Sequence, residues 1–175
     1  FSKWADELIN FNFNFYNFFI KENTERIPSF FFTVPVFLIA LCKVIFGDLW
    51  KLAFLSINLI FVLLSLIIFT KTLLVLKVRP FFILLSLPVI ILSVDLLTWP
   101  KFILSDMCYA FLVVLVTYIM AKGFVNYKYN YIQISIAIVL IFLTRPSSLS
   151  VIFPVLLLII ISKYQFFLKP KVILV

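Results

Sequence analysis

Apolar residues in this chain come in long unbroken runs separated by short polar loops. Five such runs lie at about 52 to 70, 80 to 98, 102 to 121, 131 to 144 and 147 to 162. At ~1.5 Å per residue the first three can cross a hydrocarbon core of ~30 Å, and the last two are shorter. A further run, residues 29 to 46, carries Pro35 and Lys43, closes on Gly47 and Asp48, and is expected to be embedded on the outer side without spanning. Residues 1 to 28 are the most polar part. There, Phe11, Phe13 and Phe15 alternate with Asn10, Asn12 and Asn14, a strand-like period. The same stretch also puts Asn10, Asn14, Asn17 and Lys21 on one helical face, with Leu8, Phe11, Phe15 and Phe18 opposite. Beside so many apolar runs the second reading is preferred, a helix lying in the interface plane.

Composition agrees with the pattern. Of 175 residues, 65% are hydrophobic and 13% charged, and the mean hydropathy is +1.24. A soluble domain of this size cannot bury that much apolar surface. The expected fold is therefore all-α, a polytopic transmembrane bundle of about five spanning helices plus outer juxtamembrane helices. Residues 1–48 would form an extracytoplasmic loop with juxtamembrane helices, and residues 49–175 the bundle, as a piece of one larger membrane domain. The chain opens on Phe1 and closes on an apolar run, so it reads as a fragment with a spanning helix expected before it.

Charge sets the orientation. Lys71, Lys77 and Arg79 follow the first run, Lys122 and Lys128 the third, and Lys163, Lys169 and Lys171 the fifth. Positive loops favour the cytoplasmic side. The other side then receives all seven acids, Asp6, Glu7, Glu22, Glu25, Asp48, Asp95 and Asp106. The net charge of +8 is thus a topology signal, and no nucleic-acid partner is expected. Without His, and with Cys42 and Cys108 both in apolar context, neither a His/Cys metal cluster nor a Ser/His/Asp triad is available. Both cysteines read as buried small apolar groups.

The stretch from Asp95 to Asp106 brackets a Trp99-Pro100 break, the mark of a turn at a membrane surface. A carboxylate near the bilayer needs water, a cation or a partner, which makes Asp106 a candidate site residue; a cap-like role is the plainer account. Asp6 and Glu7 are an adjacent acid pair, either solvated at a helix start or serving as base or metal-binding carboxylates. The run from 131 to 144 spans only ~21 Å of helix, so Arg145 should lie below the outer surface. There it would hold a phosphate or snorkel to the headgroups. Lys101 reads as interfacial.

Taken in order, these features resemble a known family. An acidic pair, an amphipathic outer segment, a Pro-containing apolar segment ending in Phe46-Gly47, a long helix, Ser105-Asp106 opening a helix and then Thr144-Arg145-Pro146 are similar to the N-terminal module of GT-C glycosyltransferases. The nearest branch contains the protein mannosyltransferases, aminoarabinose transferases and RgtA/B/C/D-like enzymes. The chain departs from it between Arg26 and Pro35, where many members carry a Pro-Pro-Leu or His-containing signature. The resemblance implies a multi-pass enzyme of the bacterial inner membrane. It would move a sugar from a polyprenyl-phosphate donor to a glycan, lipid or protein acceptor outside the cytoplasm. Asp6 with Glu7 would be the catalytic carboxylates, Arg145 with Lys101 would bind the donor phosphate, and a divalent metal ion would lie near Asp106. Two other classes stay open, a transporter or flippase, since charges inside a membrane also mark transport paths, and a non-catalytic membrane subunit.

Overall fold

The computed structural model describes residues 1–20, 32–91, 106–126, 129–145 and 148–168. The regular structure of these residues is helical, with no strand among them. The helices are α1 (Ser2–Asn10), α2 (Phe15–Ile20), α3 (Thr33–Phe46), α4 (Trp50–Val75), α5 (Pro80–Ile91), α6 (Asp106–Asn126), α7 (Tyr131–Phe142) and α8 (Leu149–Leu168), with a 3-10 turn, Gly47–Leu49, between α3 and α4. The predicted Trp99-Pro100 turn, Asp95 and Lys101 lie outside the described residues.

Among the described residues two helical stretches are long and apolar enough to cross a membrane, Thr33–Val75 and Asp106–Asn126. Within the first, α4 alone has 26 residues, ~39 Å of helix. The expectation of about five spans rested on run length; α5 and α7 have 12 residues each in the described chain, ~18 Å.

The amphipathic N-terminal segment is two helices rather than one. α1 ends in a Schellman closure, with the Phe13 N–H donating to Leu8 O at 3.0 Å and the Asn12 N–H to Ile9 O at 2.8 Å. Asn12 and Phe13 both take positive φ, 51° and 59°. Asn tolerates that region, whereas Phe13 is held there by packing, its ring meeting Phe37 edge-on at 6.0 Å. Helical spacing alone could not show that a tertiary contact would interrupt the helix.

Gly47 breaks the next long stretch. Its φ of +52° with ψ of −123° is open to glycine and strained for any other residue. A methyl group there would meet nothing within 4 Å, so the strain is all in the backbone. Gly47→Ala is expected to cost about 1–2 kcal/mol, read as an earlier midpoint when the protein is unfolded by SDS in mixed micelles. An unchanged midpoint would mean that the α3–α4 turn relaxes freely.

Two cores hold the helices together. In the first, Ala5 and Leu8 of α1, Phe18 of α2, Val36 and Ile39 of α3 and Phe54 of α4 are buried. In the second, Leu112 and Val116 of α6 meet Ile134, Ala137 and Ile141 of α7 and Val155 of α8. Leu38 packs against both. Cys42 and Cys108 are buried and free, as small apolar groups. The outward positions are apolar too: Leu52, Leu63 and Ile67 on α4 and Phe81, Leu84 and Val89 on α5 are all more than half exposed. Hydroxyls on α4 are satisfied inside the helix, as when Ser65 Oγ donates to Phe61 O at 2.6 Å and Thr72 Oγ1 to Ile68 O at 2.8 Å.

Candidate functional site

α6 and α7 form an antiparallel hairpin, and its two ends differ in chemistry. At the connecting end Gly123 lies against the Tyr129 ring, so closely that a Cβ on Gly123 would sit 2.4 Å from Tyr129 Cδ1. At the open end the chain leaves α7 through Leu143 and Thr144. Thr144 is fully buried, and its Oγ1 donates back to Leu140 O at 2.6 Å. This fixes the turn that presents Arg145.

Arg145 Nη1 donates to Asp106 Oδ1, joining the start of the described part of α6 to the end of the hairpin across 39 residues. The Asp106 side chain is 14% exposed and that of Arg145 39%. Arg145 also stands over the Tyr109 ring, Cζ to centroid 5.9 Å, a cation–π contact. Asp106 and Tyr109 are i and i+3 on α6 and share a face. Asp106 lies in the first turn of α6, where the helix dipole favours a carboxylate. Its neighbour in space is a cation rather than the helix amides of a cap. Arg145, in turn, reaches an inward acid and is not simply extended to headgroups. Among the described residues one guanidinium N–H is committed to Asp106; the group carries five, so it can hold the carboxylate and face an added anion.

The acid pair of α1 is placed differently. α1 begins at Ser2, so Asp6 and Glu7 lie in its second turn, beyond the position where acids stabilise a helix start. Lys43 Nζ of α3 donates to Asp6 Oδ1 at 2.6 Å, to Ser2 O at 3.0 Å and to Ser2 Oγ at 2.8 Å. It also lies 4.9 Å from the Trp50 ring centroid. All three ammonium protons are thereby matched. Asp6 remains 58% exposed and Lys43 only 13%. Glu7 is half-buried, with its Oε2 inaccessible to solvent.

α3 connects the two ion pairs. Lys43 near its end holds Asp6, and at its start the Val34 N–H donates to Leu143 O at 3.1 Å, two residues from Arg145. From Val34 to Lys43 is ~14 Å of helix. The structure thus brings Asp106 and Arg145 together and sets Asp6 near the far end of α3.

From sequence, Lys43 bears only on whether the run from 29 to 46 spans, with no partner assigned, and Tyr109 carries no role. A lone lysine inside an apolar run, and a Tyr three residues after the acid, were the available signals. Lys43→Met is expected to leave Ser2 and Asp6 without their shared cation and to speed amide exchange across α1 by about five- to tenfold, a loosening of ~1 kcal/mol for a largely exposed acid. Unchanged exchange would show that apolar packing alone holds α1 on α3.

Among the described residues a divalent cation at Asp106 would share its carboxylate with the Arg145 guanidinium, and no three His, Cys, Asp or Glu side chains gather into a group that could hold a metal ion. No step is routed through a metal below.

No protein-family model, curated protein or solved structure matches this chain.

Proposed function

We propose that the chain belongs to a multi-pass membrane glycosyltransferase of GT-C type. It would act on the extracytoplasmic side of a bacterial inner membrane, transferring a sugar from a polyprenyl-phosphate donor to a glycan, lipid or protein acceptor. The observation that carries this reading is the Asp106–Arg145 pair at the open end of the α6–α7 hairpin. A guanidinium fixed by a carboxylate and still partly open is suited to a phosphate.

In the proposed reaction the acceptor hydroxyl attacks the anomeric carbon while a carboxylate, Asp6 with Glu7 beside it, takes its proton. The bond from the anomeric carbon to the phosphate oxygen breaks, and its electron pair leaves with the lipid phosphate. Arg145, aligned by Asp106, stabilises the charge gathering on that oxygen. Lys101 would assist at the phosphate, though it lies outside the described residues. The reading is tested by assaying membranes carrying the complete protein with polyprenyl-phosphate-linked mannose, glucose and aminoarabinose in turn. Full transfer by both Asp6→Ala and Asp106→Ala would sink it.

A second reading has its own support. Both acids are neutralised by cations of the same chain, and ~14 Å of helix separates the anchors of the two pairs. That is the arrangement of two structural clamps in a non-catalytic membrane subunit or a transporter. Retained function after neutralising Asp6, Glu7, Asp106 and Arg145 together would favour it.

A further inference from the structure

An amphipathic cleft lies at the other end of the same hairpin. Between α6 and α7 is a cavity of about 930 Å³. Its inner part is walled by Leu115 and Ile119 of α6 and by Ile136 and Leu140 of α7, and its mouth by Lys122, Asn126 and Gln133. The change from apolar to polar follows the helix axis. Positions 115, 119, 122 and 126 form one stripe of α6, and from the first to the last is ~16 Å. α7 runs antiparallel, so its apolar Leu140 and Ile136 flank the inner half and Gln133 the mouth. The Tyr129 ring, against Gly123, closes the hairpin beside it. Lys122 is exposed and is the one charged residue among the described residues lining the cleft.

We infer that this cleft binds an anionic phospholipid of the cytoplasmic leaflet, one acyl chain between α6 and α7 and the headgroup phosphate on Lys122. Three observations select this occupant. A cleft apolar for most of its length and polar at one end fits an amphiphile better than a polar solute or a dry helix face. A cation with no acid among the described lining residues attracts an anionic headgroup over a zwitterionic one. The mouth also lies at the hairpin end carrying Lys122 and Lys128, the end that charge bias assigns to the cytoplasm, where anionic lipid is concentrated and basic pockets between helices hold its headgroups. Asn126 and Gln133 supply amide donors for the remaining phosphate oxygens. The site is remote from Arg145. It rests on the membrane placement proposed above and not on transferase activity.

The test is native mass spectrometry of the complete protein released from nanodiscs of equal parts phosphatidylglycerol and phosphatidylcholine. The wild type is expected to retain phosphatidylglycerol in preference. Lys122→Gln should reduce that retention about fivefold, the effect of one near-surface cation. Lys71→Gln, another exposed lysine on the same expected side, should leave it unchanged. Ile136→Trp, which fills the apolar half without altering charge, should also reduce retention. Equal retention of both lipids by the wild type, or losses from Lys71→Gln as large as from Lys122→Gln, would overturn the inference. Release of the protein from membranes by alkaline carbonate would overturn the membrane placement itself, a separate failure.

Discussion

Arg145→Ala is expected to lower stability by about 1–2 kcal/mol and sugar transfer by ~10²–10³-fold. The stability term comes from Asp106. Its side chain is 14% exposed, so removing the guanidinium leaves a largely desolvated carboxylate without its cation. The 39% exposure of Arg145 lets water reach the site and keeps the loss below that of a fully buried pair. The same exposure predicts an asymmetry: Asp106→Asn leaves a cation that water can reach and should destabilise less than Arg145→Ala. The double variant Asp106→Asn/Arg145→Gln removes both charges and should recover most of the stability. It should not recover transfer, because the phosphate contact is gone. Equilibrium unfolding in mixed micelles and initial transfer rates, measured on the same four proteins, separate the two effects. If transfer returned together with stability in the double variant, the pair would be a clamp only.

Asp6→Asn is expected to show the opposite balance, a ~10²–10⁴-fold loss of transfer, the usual contribution of a general base, with stability changed by less than ~1 kcal/mol. Asp6 is 58% exposed, so the amide costs little desolvation and can still accept a hydrogen bond from Lys43. Glu7→Gln in the same assay assigns the proton acceptor: if Glu7 carries the role, the large loss moves to that variant. A folded Asp6→Asn/Glu7→Gln protein with wild-type rates would remove α1 from the chemistry.

Much of the architecture was legible because run length and apolar continuity report directly on helix. The run at 52 to 70 lies within α4 and the described part of the run at 102 to 121 within α6, and Gly47 and Tyr131 fall at element boundaries. The juxtaposition of Asp106 and Arg145 was not legible as a pair. Each was chosen for the cost of a charge near apolar surroundings, and only the short α7 hairpin brings them face to face. The N-terminal segment was misjudged in detail because Phe13 takes positive φ under packing from Phe37, a tertiary effect that helical spacing does not encode. The role of Lys43 was hidden for the same reason, since its partner is 37 residues away.

The most direct measurement is the affinity of farnesyl phosphate for the complete protein in phosphatidylcholine nanodiscs, with farnesol as the uncharged control and Lys122→Gln as a variant at the remote cleft. The account predicts that the wild type binds farnesyl phosphate more tightly than farnesol, that Lys122→Gln removes only the share held at the remote cleft, and that adding Arg145→Gln to Lys122→Gln weakens the phosphate ligand at least tenfold, roughly the worth of one charge-assisted hydrogen bond, while leaving farnesol unchanged. Equal affinity of Lys122→Gln and a folded Lys122→Gln/Arg145→Gln protein for farnesyl phosphate would contradict it.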